Sequence, residues 1–243
     1  MCIKTALDSE SRAATVALER LSTRLAFLFF AFTALANVVI ATKRVVVKRD
    51  DNLPARVPYV FPPPGTDAVA DAIRRRRVNG TLLDLDGVLL QDEGVASSWN
   101  DFFGVIRDNN SLPATMRELF ILRTGVLNNA AYVWLQHEPV GASVGLTLNQ
   151  LREIRLTPTF ASAHTPSTSL TPELSAAMVF ADFMTKSVQV PQTVFDSLHK
   201  FLNDTQMVDA VATVGGYNFV SRFVVALDVD SKADVPVPIP TSL

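Results

Sequence analysis

The chain has 243 residues, of which 48% are hydrophobic and 19% charged, so it is long and apolar enough to bury a full core. This composition excludes a wholly disordered chain, a small disulfide scaffold and a polytopic membrane protein. With 22 Lys and Arg against 24 Asp and Glu, the formal net charge is −2, which argues against a nucleic-acid partner. Cys2 is the only cysteine, which excludes an internal disulfide and a thiolate metal site.

Residues 1–50 form an N-terminal extension whose most apolar stretch, residues 25–41, contains no charged side chain. Its 17 residues are at the short end of the length that spans a bilayer. Three interpretations stay open: a membrane anchor, a cleaved signal peptide, and an extra helix of a soluble chain. Localisation is therefore open too, between an intracellular-type soluble domain and one tethered to a membrane through residues 25–41.

The next segment, residues 51–65, contains five prolines. Proline fixes φ and lacks an amide hydrogen, so this density favours extended backbone over helix. The segment is predicted to be a linker, or an arm laid over the surface of the following domain.

From residue 66 onward the apolar residues recur at helical spacing, and no alternating strand pattern of useful length occurs. We therefore predict one all-α domain over residues 66–243. Start and stop signals predict helices over residues 67–77, 113–127, 130–145 and 172–186, one opened by the Thr147 and Gln150 capping box, one after Pro191, and a last one over 204–228 capped by Asp204.

Two charged motifs in this domain favour ordinary structural roles. Arginines occupy every position of residues 74–77, and positive charge is favoured at a helix C-terminus, so we expect a solvated helix end. Residues 81–90 (TLLDLDGVLL) match the first motif of haloacid-dehalogenase-type phosphatases, with Asp84 and Asp86 as nucleophile and acid/base. That chemistry needs a parallel sheet, a later lysine and an acidic pair for magnesium, and none of these follows. A short amphipathic helix is expected instead.

Two side chains are candidates for acid/base chemistry. Glu118 lies in a segment that is apolar nearly all round, so the carboxyl is expected to be partly buried, where it either pairs with Arg123 or Arg222 or acts as an acid or base. His137 shares a helical stripe with Trp134 and is expected to point inward, as a satisfied core histidine or as a proton carrier. Neither His164 nor His199 has neighbouring carboxylates at metal-ligand spacing, and no metal site is predicted.

With these residues in view, the sequence resembles the carboxymuconolactone decarboxylase-like family, which shares its helical fold with the alkylhydroperoxidase-D (AhpD) proteins. The matching stretches are LLDLDGVLLQ, ASSWNDFFGVIRDNNSLP, MRELFILRTGVLNNAAYVWLQHEPVGASVGLTLNQLREIR and VGGYNFVSRF. They cover about residues 58–238 in order. The resemblance implies an AhpD-like helical domain that forms a homo-oligomer, a trimer or hexamer, with a pocket around Glu118 and His137.

The peroxidase branch of that family reduces hydroperoxides with two cysteines, while a glutamate and a histidine relay protons. Counted back from His137, the cysteine positions are Ala130 and Val133 in this sequence, so a thiol peroxidase is disfavoured. The decarboxylase branch needs neither a thiol nor a cofactor, only an acid and a base.

The leading hypothesis is therefore a cofactor-independent acid/base enzyme, a decarboxylase (lyase) or isomerase acting on a small lactone or oxidised carboxylate. His137 and Glu118 are its predicted catalytic residues. The predicted substrate-binding residues are Arg117, Arg123, Tyr132, Trp134, Trp99, Tyr217 and Asn218. The rival is a non-catalytic oligomeric scaffold of the same fold. An enzyme predicts a titratable His137 facing a cavity, whereas a scaffold predicts a filled pocket and a fully hydrogen-bonded His137.

Overall fold

The computed structural model describes residues 54–77 and 79–242; the apolar segment 25–41 lies outside them. This part of the chain is helical without strands, which confirms the all-α prediction. None of its helices combines the length and the hydropathy that crossing a membrane requires. The helices are α1 (Ala68–Arg76), α2 (Asp84–Leu89), α3 (Glu93–Asp108), α4 (Ala114–Leu127), α5 (Ala131–Ser143), α6 (Leu148–Leu156), α7 (Pro172–Lys186), α8 (Gln192–His199) and α9 (Asp204–Ala226).

Capping side chains mark the starts of α1, α3, α6 and α9, and one of these caps differs from the prediction. Thr147 and Gln150 form the expected reciprocal capping box of α6. At α9, however, the predicted Asp204 cap is wrong. Asn203 is the cap, because its side chain accepts the amide hydrogen of Gln206 while the Gln206 side chain accepts that of Asn203. Asp204 is then the first residue inside the helix, which ends at Ala226 rather than near residue 228.

Helix α4 lies at the centre of the domain and packs against α5, α6, α7 and α9. Its side chains are buried on nearly every face, as the apolar sequence predicts. Leu119, Phe120 and Leu122 are fully buried in a core that α4 shares mainly with α6, α7 and α9. A second core, built by α1, α2 and α3, covers the other side of α9 and includes Ile121 of α4.

Residues 54–64 lie against the helical domain as an arm. Ala55 is fully buried, and the Val60 amide donates a hydrogen bond to the Gly87 carbonyl of α2 at 2.9 Å. The ring of Phe61 rests on Gly87 so closely that a Cβ atom there would lie 2.6 Å from the ring. A larger residue at position 87 would therefore push the half-exposed Phe61 ring away from α2.

The strongest polar contact in the core joins α4 to α7. Arg123 Nε and Nη2 donate to the two carboxylate oxygens of Asp182 at 2.6 and 2.9 Å, and both side chains are fully buried. Arg123 Nη1 also donates to the carbonyls of Ile154 and Thr157 at 2.8 Å, and Asp182 accepts the Phe160 amide at 2.7 Å. The pair ties α4 and α7 to the end of α6 and the loop that follows it.

We predict that Asp182→Ala lowers the free energy of unfolding by about 3–5 kcal/mol, because it leaves the Arg123 guanidinium buried without its counter-charge. Asp196→Ala, at an exposed carboxylate on α8, is the control and should change stability by less than about 0.5 kcal/mol. Urea denaturation followed by circular dichroism measures both variants. Similar small losses in the two would show that the buried pair does not stabilise the fold.

Candidate active site

The two predicted acid/base residues are in direct contact. Glu118 Oε2 of α4 and His137 Nδ1 of α5 are 2.8 Å apart. Glu118 is almost completely buried, and the His137 side chain is 13% exposed. The carboxylate is therefore shielded from water while the imidazole keeps one edge open.

The second ring nitrogen of His137 is bonded to a residue from another helix. Tyr217 of α9 places its hydroxyl 2.9 Å from His137 Nε2. Arg107 of α3 donates from Nε to the same hydroxyl at 2.9 Å, and its guanidinium lies 5.9 Å from the centre of the Tyr217 ring. Four helices thus contribute one member each to a chain of hydrogen bonds that we call the relay: Glu118, His137, Tyr217 and Arg107.

The donors in the relay fix the direction of its hydrogen bonds when His137 is neutral. Arginine can only donate, so the Tyr217 oxygen accepts from Arg107 and its own proton is free to be donated to His137 Nε2. The remaining imidazole proton then lies on Nδ1 and is donated to the Glu118 carboxylate. One protonation state therefore satisfies every member of the relay.

The relay borders an open cavity of about 350 Å³. This size suits a small molecule rather than a macromolecular partner. Apolar and polar side chains share its wall, which is formed by Arg76, Arg77, Leu83, Leu85, Arg107, Asp108, Arg117, Glu118, Tyr132, Val133, Gln136, His137, Val140, Tyr217 and Val220.

Two of the arginines in this wall have carboxylate partners. Arg76 Nε is 3.3 Å from Asp108 Oδ2, and Arg77 forms a two-pronged pair with the buried Asp86 at 3.0 and 2.5 Å. The predicted solvated helix end is therefore wrong for these two arginines. The end of α1 lies against α2 and α3, whose carboxylates take the place of water.

The other two arginines lack a close carboxylate partner. Among the described residues, no carboxylate oxygen lies within 4.0 Å of the Arg107 guanidinium. The nearest such contact of Arg117 is 3.6 Å, from its Nε to Glu118 Oε1, and this buried Nε has no hydrogen-bond partner. The cavity thus presents guanidinium groups whose donors are available to an anion.

Both phenols in the wall are held in their neutral form by burial. Desolvation raises the pKa of Tyr217, and the nearby Arg107 only partly opposes that effect. Desolvation also raises the pKa of Tyr132, whose hydroxyl accepts the Leu85 amide at 3.3 Å. Each phenol is thus a proton donor at neutral pH.

Of the predicted substrate-binding residues, the structure brings Arg117, Tyr132 and Tyr217 to the cavity wall. Arg123 is not among the wall residues, because it is fully buried against Asp182. It therefore does not pair with Glu118 either.

The remaining three predicted residues also lie away from the cavity. Trp134 faces the core around α4 and donates its indole hydrogen to Glu138 at 2.8 Å. Trp99 packs its ring 4.6 to 5.1 Å from those of Phe103, Phe219 and Phe223. The Asn218 side chain bonds Asn128, Thr185 and Arg222 instead. Trp134 and Asn218 each directly follow a cavity residue, Val133 and Tyr217, and therefore point about 100° away from it around the helix. Trp99 precedes the cavity residue Arg107 by about two helical turns.

Sequence analysis missed Arg76, Arg77 and Arg107 as cavity residues. Arg107 carried a usable signal, because it follows Phe103 by four positions and so lies on the buried stripe of α3. Arg76 and Arg77 carried no such signal, since their partners come from other helices. Across residues 54–77 and 79–242, no group of three His, Cys, Asp or Glu side chains is placed to hold a metal ion.

Comparison with known proteins identifies the fold. No family model and no curated protein matches the sequence. Among solved structures, an uncharacterised peroxidase-related protein from Silicibacter sp. TM1040 is similar with a TM-score of 0.60 and 14% identity, covering 76% of this chain and 94% of that one. The alkylhydroperoxidase AhpD core protein from Ralstonia eutropha JMP134 gives 0.58 and 16%, with 72% and 90% covered.

A third similar structure is a cysteine-to-alanine variant of the debrominase Bmp8 in complex with 2,3,4-tribromopyrrole. Its TM-score is 0.55 at 15% identity, covering 68% of this chain and 84% of that chain. The chain therefore has the AhpD-like fold, as the resemblance predicted.

The raised pKa values of the phenols give a pH dependence with a definite sign. Below about pH 10 both phenols are protonated in the folded and the unfolded chain; above it the unfolded chain ionises first, so stability falls. We predict that Tyr132→Phe, although less stable than the wild type, loses less stability between about pH 9.5 and 11. Urea titrations at several pH values measure this slope. Phe120→Leu, also destabilised, should keep the wild-type slope, and an equal slope in Tyr132→Phe would contradict the prediction.

Proposed function

We propose that the chain is a cofactor-independent acid/base enzyme, a decarboxylase or isomerase that acts on a small anionic lactone or oxidised carboxylate. The observation that carries this proposal is the contact of Glu118, His137 and Tyr217 at the wall of an open cavity. A histidine hydrogen-bonded to a carboxylate on one ring nitrogen and to a phenol on the other has the geometry of a proton carrier in general acid/base catalysis.

The arginines of the wall support an anionic substrate. Arg117 and Arg107 line the cavity with guanidinium donors that no carboxylate of the described chain engages closely. A substrate carboxylate would satisfy them and would be held close to the relay. Val133, Val140 and Val220 supply apolar surface for the rest of a small molecule.

A thiol peroxidase is a weaker alternative. Reduction of a hydroperoxide needs two electrons, which a pair of thiols would supply. The two positions that the resemblance assigns to cysteines are Ala130 and Val133, both buried, and Val133 lines the cavity one turn before His137. The residues available around the relay therefore support proton transfer rather than thiol redox chemistry.

The non-catalytic scaffold remains the second candidate, because one observation favours it. Both ring nitrogens of His137 are hydrogen-bonded, as expected for a structural histidine. The cavity beside it is nevertheless open, and two of its four arginines, Arg107 and Arg117, lack a close carboxylate, whereas a scaffold predicts a filled pocket. Unbalanced charge around empty space destabilises a fold, so the cavity favours a ligand-binding role.

The homo-oligomer, a trimer or hexamer, stays a prediction. Several large apolar side chains on α3 and α9 are exposed, which is compatible with contacts between copies of the chain. They are Val95, Phe102, Val105, Val208, Val211 and Phe219.

We predict that the purified full chain releases carbon dioxide from 4-carboxymuconolactone or a related lactone acid. His137→Ala should lower kcat by about 10²–10⁴-fold, because the proton carrier is lost. Arg117→Met should mainly raise KM, because it removes a contact to the substrate carboxylate. Initial rates of carbon dioxide release measure both effects.

His199→Ala is the matched control, since this exposed histidine bonds Asp204 far from the relay, and its rate should equal that of the wild type. A folded wild type without turnover on the lactone panel would contradict the proposed activity and favour the scaffold. Turnover that survives His137→Ala would remove His137 from the mechanism.

A further inference from the structure

The relay contains a phenol, Tyr217, to which the proposed function assigns no step of its own. Tyr217 lies between His137 and Arg107, lines the cavity, and is almost completely buried. Its oxygen occupies the position next to His137 Nε2 from which the imidazole could otherwise reach a molecule in the cavity. Tyr217 and His137 both line the cavity, so the phenol borders the space for a bound molecule while its oxygen is bonded to Nε2.

Building on the proposed function, we propose that Tyr217 is the catalytic acid that delivers the proton to the substrate. His137 then transfers a proton to the phenol oxygen and restores the hydroxyl. In the resting relay the Tyr217 hydroxyl donates to His137 Nε2. When His137 gains a second proton, Nε2 becomes a donor, and the Tyr217 oxygen then accepts from both His137 and Arg107. The hydroxyl proton has lost its acceptor and turns toward the cavity.

The groups around His137 fit this two-state behaviour. The Glu118 carboxylate faces Nδ1 at 2.8 Å and stabilises the charged imidazole. Arg107 approaches Tyr217 from α3 and favours negative charge on the phenol oxygen. Arg117 lies 3.6 Å from the other Glu118 oxygen and opposes a second positive charge nearby. One carboxylate and two arginines therefore surround the His137 and Tyr217 pair, and an anionic substrate would partly neutralise the arginines.

The proton transfer balances without any further reagent. As the bond between the substrate carbon and its carboxylate breaks, carbon dioxide leaves and the electron pair enters the conjugated system of the lactone. The O–H bond of Tyr217 breaks and its proton forms the new C–H bond. The phenol oxygen takes the Nε2 proton of His137, which returns to its neutral form, and water supplies the next proton to the imidazole. In total, one carboxylate and one proton are exchanged for carbon dioxide and one C–H bond.

The deciding variant is Tyr217→Phe, which removes one oxygen and keeps the ring that packs against Phe103. If Tyr217 delivers the proton, kcat falls by about 10²–10⁴-fold with KM changed by only a few-fold, although His137 and Glu118 are intact. If His137 delivers it directly, the variant frees Nε2 to face the substrate, and kcat stays within a few-fold of the wild type. That second result overturns the proposal.

The control is Tyr59→Phe, which also removes a phenol oxygen with hydrogen bonds. The Tyr59 hydroxyl donates to the Pro54 carbonyl of the arm and accepts the Asp230 amide hydrogen. Tyr59 is not part of the cavity wall. We expect unchanged kcat and KM. Equal stability of the two variants in urea, with loss of turnover only in Tyr217→Phe, separates a catalytic role from a structural one.

A second measurement tests the proposal without any substrate. Absence of turnover on the tested substrates would count against the proposed function, whereas this measurement concerns the role of Tyr217 alone. ¹⁵N spectra of histidine-labelled full chain report which imidazole nitrogen carries the proton, and the His137→Gln spectrum assigns the resonance among the three histidines. We expect neutral His137 to carry its proton on Nδ1, with an Nε2 shift that changes in Tyr217→Phe. A neutral His137 protonated on Nε2 would overturn the proposal, because Tyr217 would then not donate to it at rest.

Discussion

The buried pair of Arg123 and Asp182 is the constraint on which the rest of the domain depends. It fixes the rotation of α4, the central helix, which packs against α5, α6, α7 and α9. Glu118 precedes Arg123 by five positions, which on a helix of 3.6 residues per turn places the two side chains about 140° apart. With Arg123 held against α7, Glu118 is necessarily directed to the opposite side, where α5 and α9 bring His137 and Tyr217 to it. The position of the candidate acid/base group is thus a consequence of core packing.

The charges around the cavity form a second level of organisation. Four arginines, Arg76, Arg77, Arg107 and Arg117, are opposed by the carboxylates of Asp86, Asp108 and Glu118. The remaining positive charge lies in a partly desolvated space, where electrostatic interactions are stronger than in water. Under the proposed function, this charge would attract an anionic substrate before any hydrogen bond forms, and the apolar part of the wall would limit its size.

The fold was predictable from the sequence to a large extent because its signals are local. Capping residues, first-turn prolines and helical periodicity place most helix ends within a few residues, and the exception at Asn203 arose because adjacent Asn and Asp can both cap. The candidate acid/base pair was predictable because Glu118 and His137 each stood out as a polar residue in an apolar segment. The substrate-binding residues were less predictable. Arg117 and Arg123 lie on the same helix, but Arg117 lines the cavity while Arg123 is buried in the core. No local pattern distinguishes the two, because the partner of Arg123, Asp182, is 59 positions away in the sequence.

The arm has a consequence for how sequences of this kind can diverge. Phe61 lies on Gly87 without room for a methyl group, and Gly87 directly follows Asp86, the carboxylate that holds Arg77 in the cavity wall. A side chain at position 87 therefore requires the Phe61 ring to move aside or to be replaced by a smaller one. Where homologues keep the arm in this place, the sizes of the residues at positions 61 and 87 are expected to be inversely related.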